Sequence, residues 1–293
     1  MQLTTYGVVV ASTLTHAYWN FLIKRSGGGQ VFVGLSKVLE AVVFAPVFVV
    51  AMLAGDAFGL LHAWPIILIG ALLTLANYLA LGRAYEIGDM SIVYPVARGG
   101  TLLFLPALGF LAFGERLSAL GWIAVGSIVV GIVVLQLPAL SRQAVSDLWP
   151  SVASPSVAYA LLAAVAAAGY AVWDKRAVQT LEPFLYFYAY SALVAIAYGM
   201  FLGRRYPRAA LRAEWRAHRS PILQVAVLNT VTYLLVLFAL RTGSSTHVVA
   251  VRQLSIAVGA VLAWRLLGES FGAPRRLGVG LVVAGCVLVA MAP

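Results

Sequence analysis

The chain has 293 residues, 62% of them hydrophobic and only 10% charged, more apolar surface than a soluble core of this size can bury, so lipid is its solvent. Its net charge of +10 would suit nucleic acid, but most basic residues fall in short breaks between apolar runs. That pattern is the positively charged face of a membrane protein and excludes a nucleic-acid partner.

The first apolar stretch covers 3–23 and runs through a polar segment, His16 to Asn20, before Lys24. No basic segment precedes it, so it reads as a retained first span and not as a signal peptide. Further spans are predicted over 31–54, 64–87, 92–113 and 118–137. Five more follow, over 156–177, 184–203, 221–241, 246–267 and 273–291. Each suits a helix crossing about 30 Å of hydrocarbon, and the short alternating segments of a β-barrel are absent. The segment 138–155 is polar, carries proline, and reads as a linker between two halves, 1–137 and 156–293. The segment 203–220 holds Arg204, Arg205, Arg208, Arg212, Arg216 and Arg219, as does a surface loop or short helix lying on anionic headgroups. Cys286, the single cysteine, sits in the last span, so an intrachain disulfide is impossible.

Self-comparison reveals a repeat. Gly114-Glu115 followed by Gly126 and Gly131 recurs as Gly268-Glu269 followed by Gly280 and Gly285 with the same spacing. Tyr78 and Gly88 correspond to Tyr233 and Gly243, and Lys24-Arg25 to Lys175-Arg176, the offset drifting only between 151 and 155. Five spans per repeat is an odd number, so the second copy enters the membrane from the opposite side. The expected fold is therefore an all-α polytopic membrane protein of ten transmembrane helices in two inverted five-helix repeats. Such repeats place a solute site near the midplane and alternate access by rocking. Helix packing through small residues accounts for the glycines locally, but not for the doubled pattern.

The Gly-Glu pairs closing the fourth and ninth spans, the glycine-spaced fifth and tenth spans, Trp19 ahead of Lys24, and Tyr170 through Asp174-Lys175 resemble the EamA-type branch of the drug/metabolite transporter superfamily. The resemblance covers nearly the whole chain. It implies ten helices in two inverted repeats, residence as a multi-pass protein of a bacterial inner membrane, and a secondary transporter, more often an exporter, of amino acids or other small metabolites. No cofactor is implied, and the protein is read as a monomer among membrane lipids.

Ionisable groups inside spans cost about 2.5–3.5 kcal/mol each at the bilayer centre, so each needs a cavity or a partner. Arg98 and Arg252 lie at similar depths of the fourth and ninth spans and are expected to line one central cavity suited to a carboxylate, phosphate or phosphonate. The competing reading pairs them with carboxylates such as Glu40 or Asp174. Tyr94, Arg98 and Thr101 share a helical face, while Pro95 and Gly99-Gly100 are expected to loosen that helix. His16, Trp19 and Asn20 in the first span, and Tyr170, Trp173 and Asp174 in the sixth, follow i, i+3, i+4 spacing. Each triplet forms either a floor for a zwitterionic solute or an interfacial aromatic belt. Asn77, Tyr78, Asn229 and Tyr233 add polar groups that serve substrate or interhelical bonding. His16, Glu40 and Asp174 are candidates for proton coupling, with Lys37 and Glu40 spaced to neutralise each other. Glu115 and Glu269 read as structural groups near helix N-termini.

No catalytic cluster, phosphate-cradling loop or metal-ligand pairing is present in the sequence, which argues against an enzyme and against a metal site. Rival readings of the membrane architecture are a lipid or lipid-precursor flippase, a channel, and a multidrug exporter of organic cations. The basic residues concentrate on the odd-numbered connections, which by the positive-inside rule would face the cytoplasm and leave both termini outside; the resemblance implies termini inside.

Overall fold

The computed structural model describes residues 3–27, 29–54, 57–146 and 154–292. These form α1 (Leu3–Arg25), α2 (Gln30–Ala54), the short α3 (Ala57–His62), α4 (Trp64–Ile87), α5 (Met90–Phe113) and α6 (Ala119–Gln136). A short α7 (Arg142–Ser146) precedes α8 (Pro155–Ala177), α9 (Pro183–Arg205), α10 (Arg208–Thr242), α11 (Ser245–Arg252), α12 (Leu254–Leu267) and α13 (Ala273–Met291). Helix boundaries follow local chemistry. Proline occupies the first turn of α4, α8, α9 and α13, where its missing N–H costs nothing. Gly114 and Gly268, both at φ +68°, end α5 and α12 in the left-handed conformation that closes helices.

Among the described residues nine helical segments are long and apolar enough to span a membrane, α11 and α12 counting together as one. The tenth long helix, α1, is too polar by composition. Three of its hydroxyls are satisfied within the helix, Ser12 and Thr13 donating to the Val9 carbonyl at 2.7 and 2.9 Å and Thr15 to Ser12 at 3.0 Å, while Thr5 pairs with Thr242 of α10 at 2.9 Å and Tyr6 donates to the Ala290 carbonyl of α13 at 3.1 Å. A helix whose polar demands are met can reside in lipid, and α1 is flanked by α10, α11 and α12.

The packing partners map onto themselves when the first five long helices are exchanged for the second five. α1 lies along α10 as α8 lies along α4, and α1 meets α11 and α12 as α8 meets α5. α2 pairs with α9 and α6 with α13, while α2 against α10 mirrors α4 against α9. An odd number of spans per half makes this exchange an inversion.

The α6–α13 pair is the closest crossing. A Cβ on Gly131 would lie 2.8 Å from the Val282 nitrogen, one on Gly278 2.8 Å from the Gly131 oxygen, and one on Gly285 2.8 Å from the Ala124 oxygen. Gly126 and Gly280 face open space, so only part of the repeated glycine pattern serves packing.

Of the two forms expected for the arginine-bearing segment the structure shows the helical one, and two features of the fourth and ninth spans differ from expectation. The arginine-bearing segment is helical from Arg208 onward and joins the eighth span through a kink at His218 (φ −129°, ψ 21°), three residues before Pro221, whose ring cannot accept the preceding helical turn. α5 runs uninterrupted through Pro95 and Gly99-Gly100; a Cβ on Gly100 would touch that of Ala164 at 3.0 Å, so this glycine admits α8 and does not loosen α5. In the ninth span the helix tightens at Gln253, between α11 and α12, where the Gln253 N–H donates to the Ala250 carbonyl at 3.0 Å and the backbone stays right-handed helical (φ −65°, ψ −14°). Of the linker predicted over 138–155, α7 and the residues beside it are described and 147–153 lie outside the described residues.

Candidate functional site

Arg252 is the last residue of α11, directly before Gln253. Arg252, Gln253 and Ser255 from the ninth span, Arg98 and Thr101 from α5, His16 from α1, Tyr170 and Asp174 from α8, and Tyr233 from α10 line one cavity. Its volume is about 30 Å³, room for one or two waters and not for a metabolite. The site is closed.

Neither arginine forms an ion pair with a carboxylate among the described residues. The Arg98 guanidinium stands 5.9 Å from the centre of the Tyr94 ring and that of Arg252 5.7 Å from Tyr233. Arg252 Nη2 donates to His16 Nδ1 at 3.3 Å, and Arg252 Nε is buried with no hydrogen-bond partner among the described residues. The carboxylates offered as alternative partners are engaged elsewhere. Asp174 accepts the Tyr186 hydroxyl at 2.7 Å and the Tyr233 hydroxyl. Glu40 accepts Lys37 at 3.2 Å, Ser191 at 2.5 Å and Asn229 at 2.6 Å.

A second cavity of about 50 Å³ adjoins the first through the shared residues Tyr170 and Tyr233 and is lined also by Lys37, Asn77, Tyr78, Ser191 and Asn229. Lys37 lies 5.8 Å from the centre of the Tyr78 ring, and Asn77 donates to the Ala163 carbonyl of α8 at 2.8 Å. Glu40 sits behind this cavity, wholly engaged by its three partners.

The predicted triplets divide. His16 reaches the first cavity, whereas Trp19 lies edge-on to its ring at 4.7 Å and Asn20 donates to the His16 carbonyl at 2.7 Å. Tyr170 and Asp174 reach the cavity, but Trp173 donates to the Ile66 carbonyl at 2.8 Å and ties α8 to α4. Tyr94 lies beside Arg98 without lining the cavity. Sequence reasoning missed Tyr186 and Ser191. Both belong to the run from Tyr186 to Ser191, whose aromatic spacing matches a lipid-facing belt equally well.

Above and below the cavities lie the two Gly-Glu turns. Glu115 accepts Lys175 at 2.5 Å and also the Ser244 hydroxyl at 2.8 Å, the Ser245 hydroxyl at 2.8 Å and the Ser245 N–H at 3.1 Å. Burial pushes its carboxyl up, but Lys175 and Ser245 outweigh this and hold it below the ordinary carboxylate value. Glu269, on the opposite face, meets Lys24 at 2.5 Å and Arg275 at 3.0 Å. Lys24 first, then Arg275, holds its carboxyl down. Neither glutamate caps the helix that follows it. Ser118 caps α6 by accepting from the Gly121 N–H at 3.2 Å, while Glu115 reaches across to the N-terminus of α11.

Residues 154–291 match the EamA-like transporter family. No curated protein matches the chain. A solved crystal structure, 16% identical, superposes with a TM-score of 0.73 over 99% of this chain and 99% of that one, a likeness of fold.

Proposed function

We propose, from the match of residues 154–291 to the EamA-like transporter family, that the protein is a membrane transporter of small molecules, a secondary transporter exporting zwitterionic or anionic metabolites. Amino acids, related carboxylates and phosphonates fit this description, and a bacterial inner membrane is its setting. The observation that carries the reading is the pair Arg98 and Arg252. One comes from each half, both face one cavity, and neither is neutralised by a carboxylate among the described residues. Two guanidiniums against the single carboxylate of Asp174 leave the lining net positive, which attracts an anion that each guanidinium can grip with two parallel hydrogen bonds. Asp174, in the same lining, offers a carboxylate to the amine of a zwitterion, with Tyr170 and Tyr233 beside it for cation-π contact.

Transport by alternating access needs two gates. Glu115 with Lys175 and Ser244-Ser245 closes one face, and Glu269 with Lys24 and Arg275 occupies the corresponding place on the other. Their repeat equivalence supports a cycle in which each opens in turn.

Thermal stability of the purified protein against a panel of amino acids, carboxylates, phosphonates, organic cations and lipids tests the reading, because a ligand that binds the folded state raises the melting temperature. Stabilisation by an anion or zwitterion that is lost in Arg98→Gln and Arg252→Gln is the expected result. Stabilisation by lipids or cations alone, unchanged in both variants, would replace it with a flippase or an exporter of organic cations.

A further inference from the structure

We infer that His16 couples a proton to anion binding, taking up one proton as the anion enters between Arg98 and Arg252, so that the two travel together. The inference rests on the anion reading above.

Guanidinium nitrogens only donate. The contact of Arg252 Nη2 with His16 Nδ1 at 3.3 Å therefore makes Nδ1 an acceptor, which puts the imidazole proton on Nε2. A proton arriving at Nδ1 would set donor against donor. His16 is 7% exposed and faces Arg252 of α11 and Arg98 of α5, two positive charges with no ion-pair partner among the described residues. Tyr170 and Asp174 of α8 and Tyr233 of α10 complete the polar lining, and Trp19 closes the other side of the imidazole. A third positive charge there is opposed by both arginines, with Asp174 the one carboxylate in the lining.

An anion changes both terms. Bound to the guanidinium of Arg252, it draws the N–H that His16 was accepting, which frees Nδ1. Its negative charge offsets the arginines, so an imidazolium becomes tolerable, and the new N–H can itself donate to the anion. Asp174 is the rival proton acceptor, because an anion nearby favours protonation of a carboxylate as well; its oxygens are already held by the Tyr186 and Tyr233 hydroxyls, and the variants below separate the two groups. The proton comes from water on the side from which the anion enters. It leaves from Nδ1 when the anion departs and Arg252 returns. Linkage makes the effect reciprocal: the proton strengthens anion binding by the factor by which the anion strengthens proton binding.

The test uses sulfate, which keeps its charge from about pH 6 to about pH 8, where histidine titrates, on the full chain in detergent. Calorimetry in buffers of different ionisation enthalpy counts the protons absorbed per anion. Wild type is expected to absorb up to about one proton per sulfate and to bind about tenfold more weakly per pH unit over the upper part of that range. His16→Gln, checked for folding by its melting curve, is expected to bind without proton uptake or pH dependence, while Asp174→Asn retains both. Sulfate binding by wild type that absorbs no proton would overturn the coupling and leave the anion site standing. Uptake that persists in His16→Gln and vanishes in Asp174→Asn would overturn the assignment to His16. No sulfate binding at any pH, alike in wild type and Arg98→Gln, would remove the anion site and the coupling with it; these three failures are distinct. Should His16→Gln not fold, the proton count in wild type and Asp174→Asn still decides, since uptake lost in the latter overturns the inference.

Discussion

Glu115 and Lys175 meet at 2.5 Å across the gap between the α5–α6 turn and the end of α8, with side chains only 12% and 13% exposed. Their repeat counterparts Glu269 and Lys24 meet at the same distance but are 27% and 55% exposed. Charge pairs strengthen as water is excluded, so the two Gly-Glu turns, proposed above as gates, are held unequally. Glu115→Gln leaves Lys175 and two serines without a charged acceptor and is expected to cost about 1–3 kcal/mol in unfolding experiments. Glu269→Gln, at an exposed pair, should cost no more than about 1 kcal/mol and less at high salt. Labelling of Val249→Cys, a cavity-lining position on α11, with a membrane-impermeant thiol reagent should quicken in Glu115→Gln from the Lys175 face. Equal rates in both gate variants would show that the glutamates do not set access.

The same carboxylate predicts an acid limb. Glu115 is held below its ordinary value in the folded state, so the unfolded chain binds its proton at higher pH than the folded one. The stabilisation is fully present above the unfolded pKa, about 4.3 for glutamate, and is lost as pH falls through the folded pKa. Melting temperature should therefore be insensitive to this group above about pH 5 and drop in acid. Glu115→Gln should flatten that part of the drop. A wild-type curve that superposes on the variant in acid would contradict the assignment.

Beside the second cavity, Glu40 collects Lys37, Ser191 and Asn229 from three helices. Lys37 and Glu40 are 11% and 2% exposed, so removing one charge strands the other. Glu40→Gln is expected to destabilise by about 3–5 kcal/mol, whereas Lys37→Met combined with Glu40→Gln should recover much of that loss. A double-mutant cycle from unfolding midpoints measures the coupling. Additive losses would mean that the two charges stabilise the bundle independently.

The spans are legible in the sequence because lipid imposes length and apolarity together: the third span, predicted over 64–87, is α4 residue for residue. Arg98 and Arg252 are legible because charge inside an apolar run is costly and therefore conspicuous. Their shared cavity follows from equivalent depth in the two repeats. Helical spacing, however, fixes direction only about a helix's own axis. It places Trp173 and Asp174 near one face, but not the indole turning to Ile66 of α4 while the carboxylate turns to Tyr186 and Tyr233. Likewise the sequence ties Glu115 to the helix that follows it, whereas its partners lie 60 and about 130 residues away. The helical arm from Arg208 is ambiguous for another reason: arginine favours helices and also polar surface loops, so composition does not decide between them.

The repeated glycines offer a test with its own internal control. Gly131, Gly278 and Gly285 stand where α6 and α13 approach backbone to backbone, and a Cβ at each would meet main-chain atoms of the other helix at 2.7–2.9 Å. Backbone cannot rotate away as a side chain can, so the helices must separate, and alanine at any of the three is expected to cost at least about 1–3 kcal/mol. Gly126 and Gly280 belong to the same repeat, and a methyl group at either would have nothing within 4 Å. Alanine there meets no neighbour and removes the conformational freedom of a helical glycine, which should stabilise by about 0.5–1 kcal/mol. Thermal melts of Gly131→Ala, Gly285→Ala, Gly126→Ala and Gly280→Ala in one detergent read the contrast directly. Equal effects at all four positions would mean that the repeat preserves glycine for helix flexibility, with the α6–α13 crossing incidental to it.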